Sequence, residues 1–228
     1  RGNDYPFSPL LSSFAVVGPD QVLLFADESR FPLQIQAAFD NDGVVILPYE
    51  EITTVLHKLP KMSILLIDPG TTSVSLFHSI ASGVRIIEDV SIPSKMKAVK
   101  NKTEIANINK VMVNDGVALT RFFCWIEMNH GIIPMSEQSL SRKLRDFRSQ
   151  QEGFLGLSFP SIVAYNDHAA IPHFSPGEGS DHILGDKGIL LVDSGGHYKG
   201  GTTDITRTIT LAAPTERQKK DFTLVLKG

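Results

Sequence analysis

The sequence predicts an α/β domain followed by an α+β region. Three observations carry this expectation. Short apolar runs alternate with helical stretches over residues 1–92. A long amphipathic helix opens the second region, residues 93–228. Beyond residue 158 that region turns to strands separated by glycine-rich turns.

In the first region, 14–17 and 22–25 read as a hairpin joined by Gly18-Pro19-Asp20. The runs 44–47 and 64–67 are short apolar strands of the buried type, and 84–87 is a last strand. Helices are expected at about 29–40, 49–59 and 71–81. Asp68-Pro69-Gly70 reads as a turn, not as a catalytic group. Ser91-Ile92-Pro93-Ser94 reads as a linker, and Lys95, Lys97, Lys100 and Lys102 as a solvated face.

Thr103 then reads as an N-cap, with Glu104 in the first turn. The helix it opens should run to about Met128. Its expected apolar face is Ile105, Ile108, Met112, Leu119, Phe122, Phe123 and Ile126, and Gly131 is its C-terminal cap. His130 is expected on the surface. Ser136 caps a second helix, 137–150, basic outside with Leu140, Leu144 and Phe147 inside. Thr215 and Gln218 form a capping-box pair for a final helix.

The chain has 228 residues, 42% of them apolar, enough for a real core in one or two domains. A net charge of −3 and no basic block argue against a nucleic-acid partner. No apolar run reaches the ~18 residues of a bilayer span, so no membrane partner is expected. The single cysteine, Cys124, excludes an intramolecular disulfide and a cysteine-cluster zinc site, and reads as a buried thiol. No leader reads at Arg1, and the expected compartment is the cytoplasm.

The chemistry concentrates in Leu190-Leu191-Val192-Asp193-Ser194-Gly195-Gly196-His197-Tyr198-Lys199-Gly200-Gly201-Thr202-Thr203-Asp204-Ile205-Thr206-Arg207-Thr208. Asp193 closes an apolar strand, and Asp204 opens a run of alternating Thr and Ile. The glycine-rich segment between them reads as a hairpin turn, with His197 exposed in it. Two carboxylates brought together repel, and one or two divalent cations relieve that repulsion. Asp beside Gly is also ordinary turn chemistry, so spacing alone leaves both readings open. Thr202, Thr203 and Thr206 either orient those carboxylates or simply follow β propensity.

The string DSGGHYKGGTTDITRT resembles the metal-binding hairpin of the aminopeptidase P and prolidase family, the pita-bread metallopeptidases. Ser158-Phe159-Pro160-Ser161-Ile162, followed by Ala170-Ile171-Pro172-His173-Phe174, resembles the family segment that ends in an active-site histidine. Lys97 to Ile105 resembles the entry to the catalytic domain, and residues 1–92 the domain that precedes it, from Arg1-Gly2-Asn3-Asp4 onwards.

The resemblance implies a creatinase-N-terminal-like α/β domain, 1–92, and the first half of a pita-bread catalytic domain, 93–228. It implies that Asp193 binds one metal, that Asp204 bridges two, and that His173 handles the intermediate or the leaving-group proton. The remaining ligands, a histidine and two glutamates, are expected beyond Gly228. Two divalent ions, manganese foremost with zinc or cobalt possible, are implied, and so is a homodimer. Two departures stand inside the histidine segment. Asn166 falls where the family has Gly, and Asn tolerates a left-handed backbone. His168 falls where it has Asn, which puts a second imidazole near the site.

The implied reaction removes an N-terminal residue that precedes proline. Two cations about 3.5–4 Å apart can share a hydroxide and polarise the scissile carbonyl. A proline in second position has no N–H and a fixed φ, which defeats ordinary proteases. The extra α/β domain favours peptides over the X–Pro dipeptides that a prolidase takes. An inactive, protein-binding relative is a second reading, against which both aspartates and the histidine count. A creatinase-like C–N hydrolase needs no metal aspartates, and a methionine aminopeptidase leaves residues 1–92 unexplained.

Overall fold

Residues 4–175 and 179–228 are described by a computed structural model, in which the chain divides into two units, Arg1–Lys100 and Asn101–Gly228. The opening Arg1-Gly2-Asn3 of the family-like first region lies outside the described residues.

The first unit alternates strands and helices as expected. β1 (Phe14–Val17) and β2 (Val22–Phe25) form the hairpin, closed by the Gly18 N–H on the Gln21 carbonyl at 2.9 Å. The expected helix over 29–40 is instead a short 3₁₀ turn, Glu28–Arg30, and then α1 (Leu33–Asn41). Pro32 causes the break, because proline disfavours helical backbone in the residue before it. β3 (Val44–Leu47) lies parallel to β2. α2 (Glu51–His57) packs Ile52 and Leu56 on Phe25 as this unit's core. β4 (Ile64–Ile67) leads through α3 (Val74–His78) to a parallel partner, β5 (Arg85–Glu88). β4 is not buried on both faces: Ile64 and Leu66 are exposed. Asp68 is a turn residue, accepting the N–H groups of Gly70 and Ser91, each at 3.0 Å. Residues 91–94 are not a linker: Ser91 caps α4 (Ile92–Ala98), whose lysines are exposed.

In the second unit α5 (Lys102–Asn129) is capped by Asn101, not Thr103. The Asn101 side chain accepts from the Glu104 N–H, and Glu104 reaches back to the Asn101 N–H. Its buried stripe is Val111, Asp115, Ala118, Leu119, Phe122 and Ile126; Ile105 and Met112 stay exposed. The stripe runs through a charged residue, so an apolar-only reading misplaces its first half. Cys124 is exposed, on the face opposite that stripe. His130 is half-buried, its Nε2 at 2.9 Å from the Gly185 carbonyl oxygen.

α6 (Glu137–Ser149) follows, capped by Ser136. Then come β6 (Phe154–Leu157), β7 (Ile162–Tyr165), β8 (Ile189–Ser194), β9 (Gly196–Tyr198), β10 (Gly201–Thr202) and β11 (Ile205–Thr210). They form two antiparallel three-stranded sheets, ordered β11-β8-β7 and β10-β9-β6. Leu119, Phe122 and Ile126 of α5, with Leu140 and Leu144 of α6, cover one face of the first sheet through Val163, Tyr165, Leu190 and Val192. Each such fully buried aliphatic side chain stabilises by roughly 1.5–3 kcal/mol. α7 (Glu216–Lys227) ends the chain behind the expected Thr215–Gln218 capping box. No helix among the described residues is long and apolar enough to cross a membrane.

Candidate metal centre

The segment between the two aspartates is not a single hairpin. β8 and β11 pair in one sheet, while β9 and β10 between them pair in the other. The change of sheet falls at Gly195 on the way out and at Thr203 on the way back. Gly195 is buried with no room for a side chain: a Cβ would lie 2.0 Å from the Thr203 carbonyl oxygen and 2.3 Å from Ser158 Oγ. The Ser158 N–H donates to the Gly195 carbonyl at 3.2 Å, and the Ser158 hydroxyl to the Thr203 carbonyl at 3.0 Å. Three backbones thus converge where the chain leaves and re-enters the sheet. The tight turn is Lys199-Gly200, with Gly200 at φ +101°. His197 lies in β9, not in the turn; it is half-buried and its Nδ1 is 2.8 Å from the Thr202 hydroxyl. Thr203 is buried, and its hydroxyl accepts the Gly196 N–H at 3.0 Å. These two threonines therefore serve the hairpin itself.

The register sets the two carboxylates. Asp193 of β8 stands opposite Thr206 of β11 and Ile162 of β7. Leu190, Val192 and Ser194 point into the core, so the alternate positions, Asp193 among them, lie on the other, less covered face. Asp204 immediately precedes β11, two residues before Thr206; the two-residue alternation carried back from Thr206 assigns it to that face, diagonal to Asp193. Diagonal neighbours sit about 7–8 Å apart at the backbone, within reach of one or two shared cations. Asp204 is exposed and Asp193 half-buried. Asp193 Oδ1 is itself buried and has no hydrogen-bond partner among the described residues. A buried carboxylate oxygen without a donor is costly. A divalent cation bound there removes that cost, and all-oxygen donors suit a hard ion. The residues present therefore fit a metal.

His173 is not joined to this row by strand pairing. It lies exposed in a turn of the long β7–β8 connection, beyond a 3₁₀ turn at Asn166–Ala170. Its neighbour Phe174 is buried. Asn166 takes the left-handed backbone expected of it, at φ +51°. Its side-chain oxygen accepts the Ile189 N–H at 3.0 Å, which ties the start of this connection to the start of β8.

Several charged groups of this unit are buried. Asp115 and Arg148 form a fully buried two-bonded pair, at 2.7 and 3.0 Å, and Tyr198 donates to Asp115 at 2.7 Å. Burial and that Asp115 bond hold the Tyr198 phenol well above its ordinary pKa. Glu137, His168 and His182 bring their ligand atoms within 4.8 Å of one another, the one such trio of His, Cys, Asp or Glu among the described residues. A signal for three of them existed: Asp115 shares the stripe 111-115-118-122, and Glu137 and Arg148 the stripe 137-140-144-148.

Comparison with known proteins places these features. Residues 106–228 match the model of metallopeptidase family M24, and residues 1–104 that of the creatinase/prolidase N-terminal domain. The whole chain is 36% identical, over 232 residues, to 38% of a Xaa-Pro aminopeptidase of Drosophila melanogaster. It is 35% identical, over 239 residues, to 37% of a probable Xaa-Pro aminopeptidase P of Phaeosphaeria nodorum. The structure is similar to X-prolyl aminopeptidase of Caenorhabditis elegans, described as a cytosolic enzyme with a di-nuclear active site. The TM-score is 0.86 at 31% identity, over 94% of this chain and 36% of that one. The chain thus spans under two fifths of the length of these relatives.

Proposed function

Because the chain belongs to metallopeptidase family M24, we propose that its full-length protein releases the N-terminal residue from peptides with proline in second position. The observation that carries this reading is similarity along the whole chain, both domains in order, to Xaa-Pro aminopeptidases. In this reading residues 1–92 form the creatinase-N-terminal-like domain and 93–228 the first half of the catalytic domain.

Asp193 and Asp204 would hold two divalent cations, manganese foremost, with Asp204 the ligand that the family resemblance makes common to both. The unpartnered Asp193 oxygen and the shared strand register support this assignment. Such cations, when bound, lower the pKa of water from 15.7 to about 7 and so supply a nucleophile at neutral pH. His173 is exposed, as a group that meets substrate must be, and binds the tetrahedral intermediate or carries the proton to the leaving proline nitrogen. The relative described as cytosolic supports a cytoplasmic protein, and the family resemblance supports a homodimer.

Manganese-dependent hydrolysis of an X–Pro–Y tripeptide by the full-length protein tests the reading, with an X–Pro dipeptide alongside. Cleavage of the tripeptide that falls at least ~100-fold in Asp204→Ala supports it. Cleavage of the dipeptide alone makes the protein a prolidase. Failure to cleave either, with metal supplied, leaves the protein-binding role as the account.

A further inference from the structure

Glu137 is a fully buried carboxylate in the first turn of α6. Such a charge is stable only where donors replace its lost water. Glu137 has them: Oε1 accepts the Tyr165 N–H at 2.8 Å, and Oε2 the His182 N–H at 3.0 Å. His168 Nδ1 lies at 2.9 and 3.0 Å from the two oxygens. A carboxylate only accepts, so this nitrogen carries the proton. The Glu137 N–H in turn donates to the His182 carbonyl at 3.1 Å. The positive end of the α6 dipole adds to these.

All three donors belong to the end of β7 and the connection that follows it, at residues 165, 168 and 182. One carboxylate therefore ties the root of that connection to its far limb, and His173 lies between. The His168 ring is also stacked, on Phe174 at 4.1 Å and on His182 at 3.6 Å. Phe174 is buried and adjoins His173. The path is continuous: Glu137 fixes the His168 ring, the ring fixes Phe174, and Phe174 fixes the backbone of His173.

The same trio is not built as a metal site. The Glu137 oxygens are already filled by donors. The two imidazole planes are 16° from parallel, so their in-plane lone pairs run side by side instead of converging.

We propose that Glu137, acting through His168 and Phe174, is the positioning residue for His173. The catalytic part of this rests on the function proposed above. Two readouts on the full-length, manganese-loaded protein separate the two. The first is backbone hydrogen exchange by mass spectrometry, which needs no substrate. In Glu137→Gln, and in His168→Ala should the first variant not fold, exchange over residues 166–174 should rise at least ~10-fold while β8 and β11 stay unchanged. The second is kinetics on the tripeptide: kcat should fall at least ~10-fold with KM within ~2-fold and metal content unchanged. Unchanged exchange over 166–174, exchange that rises equally in β8 and β11, or a loosened segment with unchanged kcat would each overturn the proposal. A wild-type protein that cleaves no X–Pro–Y peptide sinks the function, and the exchange pattern still decides the clamp.

Discussion

Gly195 is where a single atom decides the site. Its Cβ position is already taken by the Thr203 carbonyl, and backbone cannot swing aside as a side-chain tip can. Gly195→Ala should cost at least about 2 kcal/mol, read as a lower urea midpoint, by forcing apart the strands that carry Asp193 and Asp204. The two aspartates were legible in the sequence because an unusual string of residue types surrounds them. Glu137 was not: one glutamate behind a serine cap reads as a solvated first turn. Only its helical spacing to Leu140 and Leu144 betrays the burial. Cys124 shows the converse, an apolar-looking residue between Phe123 and Trp125 that the helix turns outward.

At the scale of elements, α5, α6 and β9 are joined by the Arg148–Asp115–Tyr198 group. Removing one partner of a buried pair leaves the other charged and uncompensated. Asp115→Ala should therefore cost about 3–5 kcal/mol, whereas Asp115→Leu with Arg148→Met and Tyr198→Phe, which leaves no member of the group unpaired, should lie near wild type. Chemical unfolding of both variants separates pairing from packing. Most elements were readable from periodicity and caps, because Ser136 and Thr215 stand where helices must start. The first helix split for a local reason, Pro32. The region 193–204 was harder. A glycine-rich link reads as one hairpin, while the distribution of its strands over two sheets depends on pairing with distant β6 and β7.

For the molecule as a whole, the raised Tyr198 pKa makes stability depend on alkaline pH. The unfolded phenol ionises near pH ~10 and the folded one only above that, so its contribution is complete below ~10 and is lost as pH rises further. The loss approaches ~1.4 kcal/mol per pH unit. Tyr198→Phe should be less stable than wild type at pH 8, and its urea midpoint should fall less steeply between pH 9 and 11. The sequence could announce a tandem of two units because each has its own alternation of elements, and each has its own core cluster. The switch of sheets at Gly195 and Thr203 also bears on how such a site can change over time. The span between the two carboxylates is counted in ladder rungs, and a ladder has no half-rungs. Drift can lengthen or recolour the Lys199-Gly200 tip, which lies beyond both crossings, without disturbing that count. One residue gained between Asp204 and Thr206 would turn Asp204 to the opposite side of the strand, so the spacing is inherited whole or lost whole.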